Sequence, residues 1–255
     1  NPGLWGRGNG WLVNAWGRVM HLWDPAHPRY ADALALWQRY CRANAAFQTP
    51  SGMFRQLMNR PWSFEETTAT GLISSGIGYG VLNGTLPDEM AALTLRGVAG
   101  LGGIVDDDGS VHNASTTAGG YNFELQYESC GILNDAHGDG AVMGACAALH
   151  RLLQEKSGYD RTPPAQTPVR VRHADASALS FTQGDYRNPD EVAAPLLTRA
   201  MALTARPGRD VYGTVILGLL HWHDFQPDAA LLAQAHRLLD GAALDGLSRL
   251  RVMME

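Results

Sequence analysis

Seven residues near the start of the chain, Trp5-Gly6-Arg7-Gly8-Asn9-Gly10-Trp11, combine side chains that hold a planar, anionic, sugar-like ligand. Arginine presents a rigid fork of donors to a carboxylate. Tryptophan presents a flat apolar face with a polar handle. The glycines suggest a turn-making loop that leads into an apolar helix, because glycine reaches backbone conformations other residues resist. A second reading is a structural loop whose tryptophans plug a core, with Arg7 in a buried ion pair with a loop carboxylate. Residue types alone leave both readings open.

Other groups could do chemistry. Glu65-Glu66 could pose as an acid/base pair, but neighbouring helix positions point in different directions. Carboxylates opening a helix, where the dipole suits them, are the plainer reading. Asp106-Asp107-Asp108-Gly109 lacks the ligand spacing of a calcium loop and reads as a solvated turn. Asp135 and His137 sit where a loop enters a helix, so His137 is a candidate for substrate contact or for fixing the loop. His221 and His223 lie two apart on an expected helix and do not share a face. No metal site and no cofactor are expected. Cys41, Cys130 and Cys146 are widely spaced and form no CxxC pair. They read as buried thiols in a reducing, cytoplasmic setting.

The elements that must position these groups are helical. Leu12, Val13, Trp16, Val19, Met20 and Trp23 recur at three- and four-residue steps, which predicts a helix over Gly10 to Trp23. Asp24-Pro25 and His27-Pro28 end it, and Tyr30 to Phe47 returns as its partner. Gln48 to Ser63 is irregular, with Met53, Phe54 and Leu57 either in a short strand or packed under a loop. Phe64 to Val81 is expected to be a helix with Glu65-Glu66 in its first turn. Its Thr-, Ser- and Gly-rich interior is poor for an isolated helix and suits one packed closely on every side. Pro87 to Val98 follows, with Thr85 as N-cap. Gly100 to Asp139 is long, polar and glycine-rich, yet its aromatics argue for order. Helices are then expected over Gly140 to Gln154, Glu191 to Leu203, Val211 to Trp222, Asp228 to Leu239 and Ala242 to Met253. Roughly nine helices and almost no strand make the class all-α.

The chain has 255 residues, is 45% hydrophobic and 18% charged, and carries a net charge of -5. That supplies ample apolar material for a core. It argues against nucleic acid as a partner. No apolar run is long enough to span a bilayer, so no membrane association is expected. No signal peptide is visible. The chain lacks an initiator methionine and opens inside a functional-looking segment, so the natural N-terminus is expected to lie upstream.

Several segments, in order, resemble the unsaturated uronyl hydrolases, the glycoside hydrolases that include unsaturated rhamnogalacturonyl hydrolases of pectin degradation. Trp5 to Trp11 is similar to that family's Trp-Gly-Arg-x-x-Gly-Trp segment. Gln48 to Phe54 resembles its Gln-x-x-x-Gly-x-Trp segment, with Phe54 in place of the usual tryptophan. Glu66-Thr67-Thr68-Ala69-Thr70 resembles the start of the next barrel helix. Asn113 to Gly120 resembles the loop that closes over the sugar. Asp135 to Gly140 resembles the Asp-x-x-Gly-x-Gly turn into a final barrel helix. The resemblance covers Leu4 to Leu153.

It implies an (α/α)6 barrel of inner and outer helices, incomplete in this chain. Residues 1–156 would be its second half, 157–190 a linker and 191–255 a helical tail. It also implies hydration of the C4–C5 double bond of a terminal unsaturated uronic acid in an oligosaccharide. Arg7 would bind the uronate carboxylate, Trp5 and Trp11 would wall the ring, and Thr116, Thr117 and His137 would add polar contacts. The family's catalytic aspartate lies upstream of the Trp-Gly-Arg segment, so that role is carried onto no residue here. Two other readings are a non-catalytic carbohydrate-binding or scaffold protein and a sugar epimerase. The epimerase would need a cavity-lining histidine pair that the sequence does not offer. Half a barrel would expose apolar helix flanks, so a complementary chain, a homo-oligomer or a longer parent chain is expected.

Overall fold

The computed structural model describes residues 3–116, 124–130, 132–133, 136–157, 189–204 and 212–241. Positions 158–188 of the expected linker and the expected helix over Ala242 to Met253 lie outside these, while Ser157, Pro189 and Asp190 of the expected linker are helical. Four helices form the spine: α1 (Gly6–Val19), α3 (Thr67–Leu82), α6 (Ala136–Ser157) and α8 (Tyr212–Phe225). Four more lie against them: α2 (Tyr30–Ala45), α4 (Ala91–Gly102), α7 (Pro189–Ala202) and α9 (Ala229–Gly241). A short α5 (Glu124–Glu128) and two small antiparallel ribbons complete the description. One ribbon pairs β1 (Phe54–Arg55) with β2 (Glu65–Glu66), the other β3 (Ala114–Ser115) with β4 (Ile132–Leu133).

The spine helices are neighbours in the order α1, α3, α6, α8. All four run parallel. Gly6 meets Ala69, Gly10 meets Leu72 and Gly17 meets Gly76, so α1 and α3 advance together. Gly71 meets Ala141 and Gly78 meets Ala148. Gly140 meets Gly218, and Gly144 meets His221. Parallel inner helices returned through outer ones give the layering of an (α/α)6 barrel, of which the chain holds a part. The tail belongs to this layering, since α8 packs on α6 as α6 packs on α3.

Small residues set the spacing. A Cβ on Gly76 would lie 2.3 Å from the Val13 carbonyl oxygen, and one on Gly17 would lie 2.0 Å from the Gly76 oxygen. Backbone therefore touches backbone, and the Thr-, Ser- and Gly-rich α3 is buried from Thr67 through Val81. Apolar side chains fill the space between inner and outer layers. Trp37 and Cys41 of α2 join Ile73, Ile77 and Val81 of α3 in one cluster. Leu149, Val192, Leu196, Ile216 and Leu219 stand in the other. Burial pushes the Cys41 thiol well above its usual range, as a structural cysteine requires. Cys146 is also buried, whereas Cys130, expected to be buried, is half-exposed.

Several boundaries differ from the sequence reading. The glycine-rich segment is the first turn of α1 rather than a loop before it. Gly6 and Gly10 are there for close packing on Arg55, Ala69 and Leu72. Glu65-Glu66 is a strand rather than a first helical turn, because it pairs with Phe54-Arg55, and only Glu66 caps α3. Thr85 is not an N-cap: its hydroxyl donates to the Gly80 carbonyl and accepts from the Trp37 indole. The long polar stretch Gly100 to Asp139, whose aromatics argue for order, contains β3, α5, β4 and the first turn of α6. The expected apolar flank is present on α1 and α2, where Leu12, Val19 and Leu36 are exposed, and on the turn Met20–Leu22 between them, where Leu22 is.

Positions 7, 11, 14 and 18 of α1 repeat at four- and three-residue steps and share one face. Positions 68, 72, 75 and 79 of α3 do the same. Lower down this inner face, His221 of α8 reaches the α1 side, with its Nδ1 2.5 Å from Nη2 of Arg18. Burial, and then the Arg18 charge, hold His221 well below the ordinary histidine range, so its ring is neutral.

Two outcomes are expected. Gly76→Ala places a methyl against the α1 backbone and should lower stability by about 2 kcal/mol or more. An unchanged urea midpoint would show that the helices can separate freely. For His221 the sign follows from the depressed pKa. Above about pH 6.5 both folded and unfolded chains hold it neutral. Below that the unfolded chain binds a proton that the folded chain refuses, so stability falls by up to about 2 kcal/mol by pH 5. His221→Gln should remove that component from denaturation curves compared at pH 7.5 and pH 5.

Candidate active site at the mouth of the inner helices

The N-termini of α1, α3 and α6 open at one end of the spine, because the helices are parallel. The chain enters α1 along residues 56–58. Gly6 N–H donates to the Gln56 carbonyl at 2.8 Å, and Met58 N–H donates to the Leu4 carbonyl at 2.8 Å. Asn9 caps this entry from within, with its side-chain amide donating to the Trp5 carbonyl at 2.7 Å. Tyr40 of α2 donates its hydroxyl to the Asn9 side chain.

Arg7 lies in the middle of this mouth and is only 4% exposed. Its Nη2 donates to the Ser115 carbonyl at 2.7 Å and makes a close contact with the Ser115 hydroxyl. The same nitrogen is 3.7 Å from Oε1 of Glu66. Among the described residues, Arg7 Nε has no hydrogen-bond partner. The guanidinium carbon stands 5.9 Å from the Trp5 ring centroid. The Trp5 ring in turn lies 5.8 Å from that of Tyr127, which is fully buried.

Glu66 is fully buried, and everything near its carboxylate donates. Oε2 accepts from Ala69 N–H at 2.6 Å and Oε1 accepts from Ser115 N–H at 2.9 Å. The Thr68 hydroxyl donates at 2.7 Å. These contacts, the start of the α3 dipole and the Arg7 charge together compensate a carboxylate that burial would otherwise penalise. Ser115 thus links both ends of the pair, its N–H on Glu66 and its carbonyl on Arg7.

The segments over the mouth are fastened from below. Thr67 N–H donates to the Asn113 carbonyl at 3.1 Å, and the Thr67 hydroxyl donates to that of His112. Asn113 sits in the left-handed region at φ 59°, where asparagine is among the more tolerant residues. Farther along, Arg60 grips Glu124 through two nitrogens. That contact holds the Glu124 carboxyl below its usual range. Ser63 donates to Glu128, and the Gln56 amide donates to the Tyr127 carbonyl at 3.3 Å.

The Gln-x-x-x-Gly segment is a clamp on α4. Gln48 donates to the Gly52 and Leu93 carbonyls and accepts from Arg96. Gly52 has φ +87°, and a Cβ there would lie 2.1 Å from the Arg96 carbonyl.

Of the sequence candidates, Trp5 and Arg7 meet at the mouth, Thr116 follows Ser115 in the chain, and Trp11, one turn further along α1, is exposed. Thr117 lies outside the described residues. His137 is in the first turn of α6, with its side chain outside the described set. Glu66, weighed above as half of an acid/base pair, joins the site instead as the partner of Arg7, together with Ser115 and, beside Trp5, Tyr127. Arg7 and Glu66 lie 59 positions apart, and no local pattern pairs them. Asp106-Asp107-Asp108-Gly109 is a turn, in which Asp108 accepts from Ser110 N–H at 2.8 Å. Asp139, fully buried, faces Arg199 of α7 at 3.3 Å. No group of three or more acidic, histidine or cysteine side chains gathers as metal ligands among the described residues.

Glu66→Ala should strand the buried Arg7 charge and destabilise the fold by about 3 kcal/mol or more. Ser115→Ala, which removes only the hydroxyl, should cost about 1 kcal/mol. Equal losses in denaturant titrations would mean that the ion pair is not what holds the mouth.

Residues 1–153 match the model of Glycosyl Hydrolase Family 88. Over 114 residues the chain is 29% identical to the "Unsaturated 3S-rhamnoglycuronyl hydrolase" of Alteromonas sp. (strain LOR), which covers 44% of this chain and 28% of that protein. It is similar to a crystal structure described as a possible member of GH105 family from Salmonella enterica subsp. enterica serovar Paratyphi A, with TM-score 0.55 and 20% identity over 59% of this chain and 40% of that one. The corresponding structure from Klebsiella pneumoniae subsp. pneumoniae gives TM-score 0.54 and 20% identity over 59% and 39%. These two likenesses concern the fold alone. The chain spans well under half the length of each of these relatives.

Proposed function

We propose that this chain, which belongs to Glycosyl Hydrolase Family 88, supplies one wall of a site that hydrates the C4–C5 double bond of a terminal unsaturated uronic acid. A proton adds at C4 and water adds at C5. The resulting hemiketal opens and frees the neighbouring sugar. The substrates would be oligosaccharides that lyases leave from pectin-type polysaccharides. Arg7 would take the uronate carboxylate, Trp5 and Trp11 would wall the ring, and Thr116, Thr117 and His137 would add polar contacts. The proton donor is assigned to no residue of this chain.

One observation carries this reading. A buried guanidinium beside the Trp5 ring keeps Nε without a partner among the described residues. Its Nη2 bonds to Ser115, a segment that a bidentate carboxylate would replace on entry. The name of the Alteromonas relative points to the same substrate chemistry. A second reading, a non-catalytic carbohydrate-binding protein, is favoured by Glu66, which already supplies Arg7 with a counter-charge.

The test is an unsaturated uronyl disaccharide incubated with folded protein, followed by the near-ultraviolet absorbance of its conjugated carboxylate. The absorbance should fall with time, and Arg7→Lys should slow the fall at least tenfold while the protein stays folded by circular dichroism. No fall, but a calorimetric binding signal that Arg7→Lys abolishes, would establish the binding protein. Neither turnover nor binding would reject both.

A further inference from the structure

We infer that a small cleft on the inner face of α1, α3, α6 and α8, below the mouth, is a binding site for one halide-sized anion such as chloride. It does not rest on the uronide reading, since none of its residues belongs to the mouth. Asn14, Ser75, Gly144 and His221 line it, with Leu72 and Leu217. The free space at its centre is about 10 Å³, room for one water-sized group and far too little for a sugar ring.

The chemistry follows from which hydrogen-bonding atoms are already used. Arg18 can only donate. Its Nη2 is 2.5 Å from His221 Nδ1, and its Nε is 3.4 Å from Asn14 Oδ1. Both acceptors are therefore consumed by the guanidinium. A neutral His221 that accepts at Nδ1 carries its proton on Nε2, so that nitrogen is a donor. The Asn14 amide, with its oxygen turned to Arg18, has its NH2 left to give. The Ser75 hydroxyl is free to donate as well.

His221 Nε2 and Ser75 Oγ are buried without a partner among the described residues, and so is the hydroxyl of neighbouring Tyr79. Buried polar atoms of native proteins are almost always satisfied, so the two that belong to residues lining the cleft call for an occupant. A site of donors beside a guanidinium selects an anion. The Arg18 guanidinium is stacked 3.9 Å from the Tyr79 ring centroid, which holds it behind the lining residues Asn14 and His221.

Gly144 keeps the cleft open. A Cβ there would lie 3.2 Å from His221 Nδ1 and 3.4 Å from Ser75 Oγ, in the space between the two side chains. Gly144→Ala therefore closes the cleft without removing a donor, and Ser75→Ala removes a donor without closing it.

The experiment measures the thermal midpoint at constant pH and ionic strength while sodium chloride replaces sodium methanesulfonate, a salt of a bulkier anion. The midpoint should rise saturably with chloride, as it does for any ligand that binds only the folded chain. Both variants should flatten the rise. Crystals soaked in sodium bromide should show an anomalous peak within hydrogen-bonding reach of Ser75 Oγ. No chloride-dependent rise, a rise that both variants retain, or a bromide peak only elsewhere would each overturn the inference. The bromide measurement uses the native chain, so a variant that fails to fold does not blunt the test.

Discussion

The closeness of the inner helices is the constraint on which the rest of the structure depends. Gly17, Gly71, Gly76 and Gly78 remove side chains where neighbouring backbones touch. Glycine inside a helix is unfavourable by roughly 0.5–1 kcal/mol relative to alanine. The chain accepts that cost repeatedly because the gain is collective. With axes drawn together, an α3 that would be a poor helix alone is enclosed along its length, and the hydroxyls of its threonines find partners around it. Thr94 donates to the Ser74 carbonyl at 2.8 Å, and Thr70 accepts from Phe54 N–H at 2.8 Å.

The mouth depends on this spacing. Arg7 and Glu66 stand at the starts of adjacent parallel helices, close enough to pair only because Gly6 and Gly10 let α1 settle on α3. Ser115 then ties a distant segment to both charges. A guanidinium so placed can hold the mouth together and can also offer itself to a carboxylate. In the described conformation it does the first, and the two functional readings differ in whether a bound uronide is then turned over.

The inner face changes character along its length. At the top, the Trp5 ring stands beside the Arg7 side of the Arg7–Glu66 pair, with Tyr127 next to Trp5. Farther in, small side chains and the neutral His221 leave a narrow donor-rich cleft, with Arg18 behind His221. Two arginines on one face of α1, eleven residues apart, thus sit in opposite surroundings: Arg7 has a carboxylate and Arg18 has an imidazole nitrogen. The family match ends at residue 153, yet α8 extends the spine by the same small-residue contacts, with Gly218 on Gly140.

By itself the sequence determined the all-α class, most helix positions and the family. These rest on local periodicity, on turn residues and on short motifs whose order survives in one dimension. The tight burial of α3 was legible too, because its composition suits nothing else. The tertiary structure decided what the glycines of Trp5 to Trp11 are for, since a close contact and a flexible turn use the same residue. It also decided that Glu65-Glu66 is a strand, through pairing with Arg55 and Phe54, ten and twelve positions away. Arg7 had two readings in the sequence, a ligand contact and an ion pair. Which carboxylate faces it, and that Ser115 joins them, depends on chain segments 59 and 108 residues apart. Such contacts follow from how parallel helices come together, and no local pattern of residue types encodes them.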